Sequence, residues 1–200
     1  MGYEETYRAA LERFAMKRPE AMARAKGGLY NPGNGTLSLP YLGAVQHVHH
    51  PSGDMTTERH PPGGALSQEE RVLLIQYLSW TGRDTSPAGE WLAFNQLEGG
   101  ESHWALVQHE AADPLGERFG HNIPGLYDAL KPFKAREMGL GDASFIIEAY
   151  PKVYLGVVLW RGDEEFPPRA SLLIDKAAPA HLTMASLFML GLEVSRRLRT

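Results

Sequence analysis

Residues 144–175, SFIIEAYPKVYLGVVLWRGDEEFPPRASLLID, constrain this chain more than any other stretch. Phe145, Ile147 and Ala149 alternate with Ser144, Ile146 and Glu148, the period-2 pattern of a strand with two faces. Tyr150-Pro151-Lys152-Val153 supplies a turn, with proline where its fixed φ suits a type I bend. The next eight residues, 153–160, are apolar on both faces, as a central strand covered on both sides would be. Arg161 to Glu165 makes a second bend. Pro167-Pro168 then delays a third strand to about 170–174 and keeps an edge from pairing further. The block therefore reads as a C-terminal three-stranded antiparallel meander.

Helices are predicted on either side of it. Tyr3, Tyr7, Ala10, Leu11 and Phe14 fall on one face of a 3.6-residue period, and Pro19 interrupts that helix. A second short helix follows from Ala21, and Gly27-Gly28 closes this N-terminal arm of about 26 residues. Residues 36–48 alternate as one or two strands, and 49–64, broken by proline and glycine, read as an exposed loop. Ser67 and Glu70 form a capping box ahead of Val72-Leu73-Leu74-Ile75. With Tyr77, Leu78 and Trp80 added, apolar positions cover most of that circumference, so this helix is predicted to be buried on more than one side and to end at Thr81-Gly82. A strand over 90–97, a helix over 101–112, short broken helices over 113–140 and a closing helix over 182–199 complete the pattern. The expectation is α+β: one globular domain over 1–200, with an antiparallel sheet of about four to six strands packed by several helices. No glycine-rich turn joins a strand to a helix, which argues against a doubly wound nucleotide fold.

Bulk chemistry narrows function mostly by exclusion. Twenty-four acidic against 20 basic residues give a net charge of −4, and no long basic run offers a phosphate-binding face, so nucleic acid is not an expected partner. Cysteine is absent, which removes disulfides, thiolate nucleophiles and thiolate ligands for an iron–sulfur cluster. No apolar run approaches the roughly 18 residues of a membrane span, and the first residues have no secretory h-region. Cytoplasmic placement is expected. Met1-Gly2 followed by Thr6 fits a myristoylation pattern so short that chance often produces it.

Two clusters carry candidate chemistry. At the second bend Asp163, Glu164 and Glu165 gather beside Trp160, with Asp142 at the start of the meander. Such carboxylates could hold a divalent cation, meet a cationic partner, or simply form a solvated turn. The other cluster is His47, His49 and His60. His47 and His49 share one side of a strand, and Glu58 and His60 return from the loop, a set that could hold a divalent metal in an enzyme. Trp80, Trp91, Trp104 and Trp160 are read as core in the first instance and as walls of a flat-ligand pocket in the second. No serine stands in a nucleophile elbow.

Gly141-Asp142-Ala143-Ser144-Phe145 and Leu159-Trp160-x-Gly162-Asp163-Glu164-Glu165-Phe166-Pro167 carry a family resemblance. Smaller echoes are Leu39-Pro40-Tyr41-Leu42-Gly43, Gly89-Glu90-Trp91, Leu97-Glu98-Gly99-Gly100 and Arg118-Phe119-Gly120. Together they resemble the bacterial and archaeal family called domain of unknown function 3786, across roughly residues 35–195. The resemblance implies no assigned activity. It implies a setting in anaerobes, beside iron–sulfur domains of corrinoid one-carbon proteins, and hence an accessory or binding protein for a small-molecule cofactor such as a tetrapyrrole, or for a protein partner. A metal-dependent enzyme using the histidines, or a structural interaction domain, are the alternatives.

Overall fold

The computed structural model describes residues 3–80 and 82–200. Met1 and Gly2 of the acylation pattern, and Thr81 of the expected helix stop, lie outside the described residues. Two antiparallel sheets, rather than one, organise the chain. The first is a meander of β1 (Leu29–Asn31), β2 (Thr36–Tyr41), β3 (Ala44–His49) and β4 (Met55–Thr57), paired in that order. The second has the order β5-β9-β8-β7-β6, with β5 (Trp91–Ala93), β6 (Arg136–Glu137), β7 (Ala143–Tyr150), β8 (Val153–Trp160) and β9 (Arg169–Asp175).

The C-terminal meander forms as its pattern predicts, with β8 in the middle and a two-residue turn at Pro151-Lys152. Its inward rows run straight across the sheet. Ile147 faces Leu155, Leu155 faces Ile174, and Ile174 faces Leu92; none of the first three is exposed. The expected free edge is not one. Leu173 to Asp175 of β9 pair with β5, because Pro167-Pro168 precede the strand and leave its N–H groups intact. Two other expectations are shortened: the 49–64 loop contains β4, and the 90–97 strand turns into a 3₁₀ turn at Phe94–Gln96. None of the four tryptophans is fully buried, and the aromatic core is built from tyrosine and phenylalanine instead.

Helices α1 (Tyr3–Ala15), α2 (Pro19–Lys26), α3 (Gln68–Ser79) and α7 (Met184–Leu198) gather around the junction of the sheets. Pro19 begins α2 at a position where a missing N–H costs nothing, and Gly27 ends it at φ 72°. The span 101–119 combines α4 (Glu101–Val107), a π-helical turn at Gln108–Ala112 and α5 (Asp113–Phe119); α6 (Ile123–Leu130) follows. Ala10 and Phe14 of α1, Met22 of α2 and Val194 of α7 belong to one contiguous core with both sheets.

The β2–β3 hairpin stitches the sheets together. Leu42 and Gly43 both take positive φ, 47° and 78°, the demand of a two-residue hairpin turn that matches strand twist. For leucine that conformation is uncommon. Here its side chain is fully buried and its N–H donates to the Ala149 carbonyl of β7 at 3.0 Å. Next to this joint Tyr150 of β7 stacks between Tyr77 of α3 (4.3 Å, 12°) and Tyr41 of β2 (5.0 Å). The tyrosine stack is the hinge pin of the fold, and a polar cluster sits at each end of it. No helix among the described residues is long and apolar enough to cross a membrane.

Candidate functional site beneath the 82–89 strap

At one end of the tyrosine stack α3 begins. The capping box forms as read: Ser67 Oγ accepts from Glu70 N, and Glu70 Oε2 accepts from Ser67 N at 2.8 Å. The fully buried Glu70 carboxylate also accepts from Tyr41 Oη (2.7 Å) and from two nitrogens of Arg197 on α7, one at 2.6 Å. The rest of the Arg197 guanidinium donates to the carbonyls of Pro62, Gly64 and Ala65. Burial pushes the Glu70 carboxyl up, but the hydrogen bonds from Arg197, Ser67 and Tyr41 outweigh it and hold it below the ordinary range. Charge and donors are matched, so this end is a structural clamp.

The other end is not matched. Tyr77 Oη donates to the Lys26 carbonyl at 3.0 Å, and the Lys26 ammonium lies 4.9 Å from the Tyr77 ring centroid. Lys26 is 3% exposed, yet among the described residues no carboxylate lies within salt-bridge distance of it. Its Nζ instead meets Nδ1 of the fully buried His181 at 3.4 Å. His181 Nε2 lies 2.8 Å from the Thr85 carbonyl, which can only accept; Nε2 therefore carries the proton, and Nδ1 is left to accept from Lys26. Burial, then the charges of Lys17 and Lys152, lower Lys26 to about 8. Burial also lowers His181 below its usual value, with Lys26 and Lys152 adding to the effect. Tyr150, between the two ends, is fully buried and its hydroxyl has no hydrogen-bond partner among the described residues.

One strap closes this site. Residues 82–89 lack regular structure, and only Thr85 among them is even half-buried. Asp84 binds Lys152, Thr85 binds His181, and the Asp175 carboxylate at the end of β9 accepts from Ala88 N (2.9 Å) and Gly89 N (2.7 Å) as well as Ala177 N. A Cβ at Gly82 would overlap the Ala180 carbonyl, so the strap's root is pinned by close backbone approach. Lys26, Lys152 and His181 all feel one carboxylate, Asp84, which is exposed on the strap. The arrangement can hold an anion: cationic donors are preassembled, and among the described residues the carboxylate they share, Asp84, is exposed on a strap without regular structure.

The residues singled out from sequence lie elsewhere. Asp163, Glu164 and Glu165 face solvent. Asp163 Oδ1 accepts from Glu165 N and Phe166 N, which hold its carboxyl below the usual range and fold the bend. Asp142 Oδ2 accepts from Arg161 N at 2.8 Å and closes the same end of the meander, beside Trp160, which is 41% exposed. Gly120 and Gly162 leave room for Pro168, so the bend docks on the end of α5. His47 bonds Ser38 Oγ (2.9 Å) and approaches Glu58 at 3.9 Å, while His49 bonds Ser52. His60 is exposed, three residues past the end of β4. Among the described residues, no three His, Cys, Asp or Glu side chains converge in a geometry that could hold a metal.

Sequence reasoning passed over Lys26 and His181. Lys26 fell in the run predicted only as a short second helix, and His181 was one histidine among eight. The available signals were a polar residue inside the small-apolar run AAPAHL, and Asp175 as the first polar residue after LLI.

Comparison with curated proteins finds no match, and comparison with solved structures finds none either. Residues 18–197 match the family model described as domain of unknown function (DUF3786), so a chain built on this two-sheet frame, with its GDEEFPP bend and its strap, belongs to that family.

Proposed function

We propose that the protein is a cytoplasmic binding or accessory protein for a carboxylate-bearing cofactor, which enters beneath the 82–89 strap and takes over the contacts of Asp84. The observation that carries this reading is Lys26: a 3% exposed amine, flanked by the charges of Lys17 and Lys152, with no carboxylate of its own. Burying a cation without a partner costs several kcal/mol by general estimates, and groups perturbed in this way cluster at functional sites. The strap supports the reading because few buried side chains hold it, so its opening is among the least costly local motions. A tetrapyrrole, with acidic side chains around a flat ring, belongs to this ligand class and accords with the cofactor setting implied by the family.

The test is titration of the purified protein with haem, with cobyrinic acid, a corrinoid whose side chains are free carboxylates, and with citrate, followed by visible absorbance and calorimetry. Saturable binding of at least one of these, weakened about tenfold or more in Lys26→Met and Lys152→Met, is expected. Binding that is indifferent to both substitutions overturns the assignment. No binding of any probe, together with a co-purifying protein, would instead favour an interaction domain.

A further inference from the structure

A second cationic region lies beside the Glu70–Arg197 clamp, along the Pro62 and Ala65 segment that Arg197 holds. Two hollows of about 360 and 310 Å³ adjoin there and share His60. The first is walled by Arg59, Lys131 and Lys134 together with the Gly43-Ala44 backbone; the second by Arg71, Gln46 and Thr57. No acidic side chain lines either hollow. Lys131 is paired with Asp128, but Arg59, Arg71 and Lys134 have no carboxylate partner among the described residues. Arg59 is held in place by a hydrogen bond from Nη2 to the Gly43 carbonyl at 3.3 Å.

Gln46 is the second, independent observation. It lies on the inward face of β3, opposite Leu39, and is fully buried. Its Nε2 makes a long 3.4 Å contact to the Ala44 carbonyl, and its Oε1 has no hydrogen-bond partner. Exchanging the two atoms would set Oε1 against that carbonyl, so the orphan acceptor follows from the geometry. A buried amide oxygen left unpaired forfeits its full desolvation cost. Gln46 borders the second hollow, which puts this unpaired amide next to any donor bound there.

We propose that this groove binds a phosphate monoester of a sugar or polyol. Its phosphate lies in the first hollow, between Arg59, Lys134 and His60. Its hydroxyls reach past His60 into the second hollow, where one donates to Gln46 Oε1 and Arg71 supplies a further charge. The chemistry needs both parts: cations without acids select an anion, and an orphan acceptor selects a donor that inorganic phosphate cannot present at that distance.

Calorimetric titration with ribose 5-phosphate, inorganic phosphate and ribose tests this in the full chain. Ribose 5-phosphate should bind saturably and more tightly than either part alone. The surface double variant Arg59→Glu/Lys134→Glu should weaken it by more than about tenfold, and Arg71→Glu by less. Gln46→Met should weaken ribose 5-phosphate about tenfold while leaving inorganic phosphate unchanged. Lys26→Met should change none of these values, which separates the groove from the strap site. The proposal is overturned if ribose 5-phosphate does not bind saturably, if the double charge reversal leaves its affinity intact, or if Gln46→Met affects both phosphates equally.

Discussion

The two ends of the tyrosine stack solve the same problem in opposite ways. At Glu70 a buried charge receives every donor it can use, from Arg197, Tyr41 and the Ser67 backbone. At Lys26 a buried charge receives an imidazole nitrogen and a ring face, while the carboxylate it feels, Asp84, sits exposed on the strap and pairs with Lys152. Both sites abut α3, and both are almost inaccessible to solvent. The difference teaches that burial alone does not distinguish a clamp from a binding site; the balance of partners does.

The largest expected effect tests the clamp. Arg197→Met takes both bonded guanidinium nitrogens from buried Glu70 and leaves it, among the described residues, only Arg196 at 3.8 Å as a cation, and should cost about 3–5 kcal/mol in chemical denaturation. Glu70→Gln/Arg197→Met, which removes both charges, should recover a large part of that loss. A double variant no more stable than the single one would show that Glu70 is not charged in the fold. The clamp also has a pH signature. Because the folded carboxyl is held below its usual 4.5, its stabilisation is complete above that value and is lost as pH falls through the folded value.

Leu74→Ala comes next, at about 2–5 kcal/mol, since Leu74 is fully buried on the helix that both ends share. A loss below about 1 kcal/mol would mean that α3 is not the common support of the two ends.

Lys26→Met should move stability the other way. The unfolded chain binds the lysine proton more tightly than the folded one, so wild-type stability should rise with pH between about 8 and 10.5. Replacing the amine should therefore stabilise the fold by about 1–3 kcal/mol at pH 7, with the gain shrinking toward pH 10.5. A destabilised variant at pH 7 would put Lys26 in the same class as Glu70 and end the contrast. Tyr150→Phe is the smallest. Removing an unpartnered hydroxyl should change stability by less than about 1 kcal/mol, in contrast to Tyr41→Phe, which takes a donor from Glu70 and should cost more.

Much of the frame was legible before any coordinates. The period-2 alternation through Phe145, Ile147 and Ala149 and the Ser67–Glu70 capping box encode their structure locally, and both formed as read. The division into two sheets was not legible. Nor was their junction, which depends on Leu42 taking a left-handed conformation and reaching Ala149 107 residues away in sequence, information that no local pattern holds. The candidate site was hidden for the same reason. Lys26, Asp84, Lys152 and His181 come from four separate segments, and what marks them is a missing counter-charge. The histidines that stood out at 47–50 did so by adjacency, which a strand spends on backbone pairing and on local contacts to Ser38 and Ser52.

The clamp's span carries a consequence for the order of folding. Glu70 and Arg197 are 127 positions apart, so their contact closes late in a search that begins with local structure. Until α7 docks, α3 can cap itself at Ser67, but its carboxylate resists entry into the apolar layer that Leu73, Leu74 and Leu78 favour. Refolding at neutral pH should then show α3 protected from hydrogen exchange only together with α7, whereas in mild acid, with Glu70 protonated, α3 should gain protection first. The residue that makes the finished fold secure would thus also set the moment at which its central helix commits.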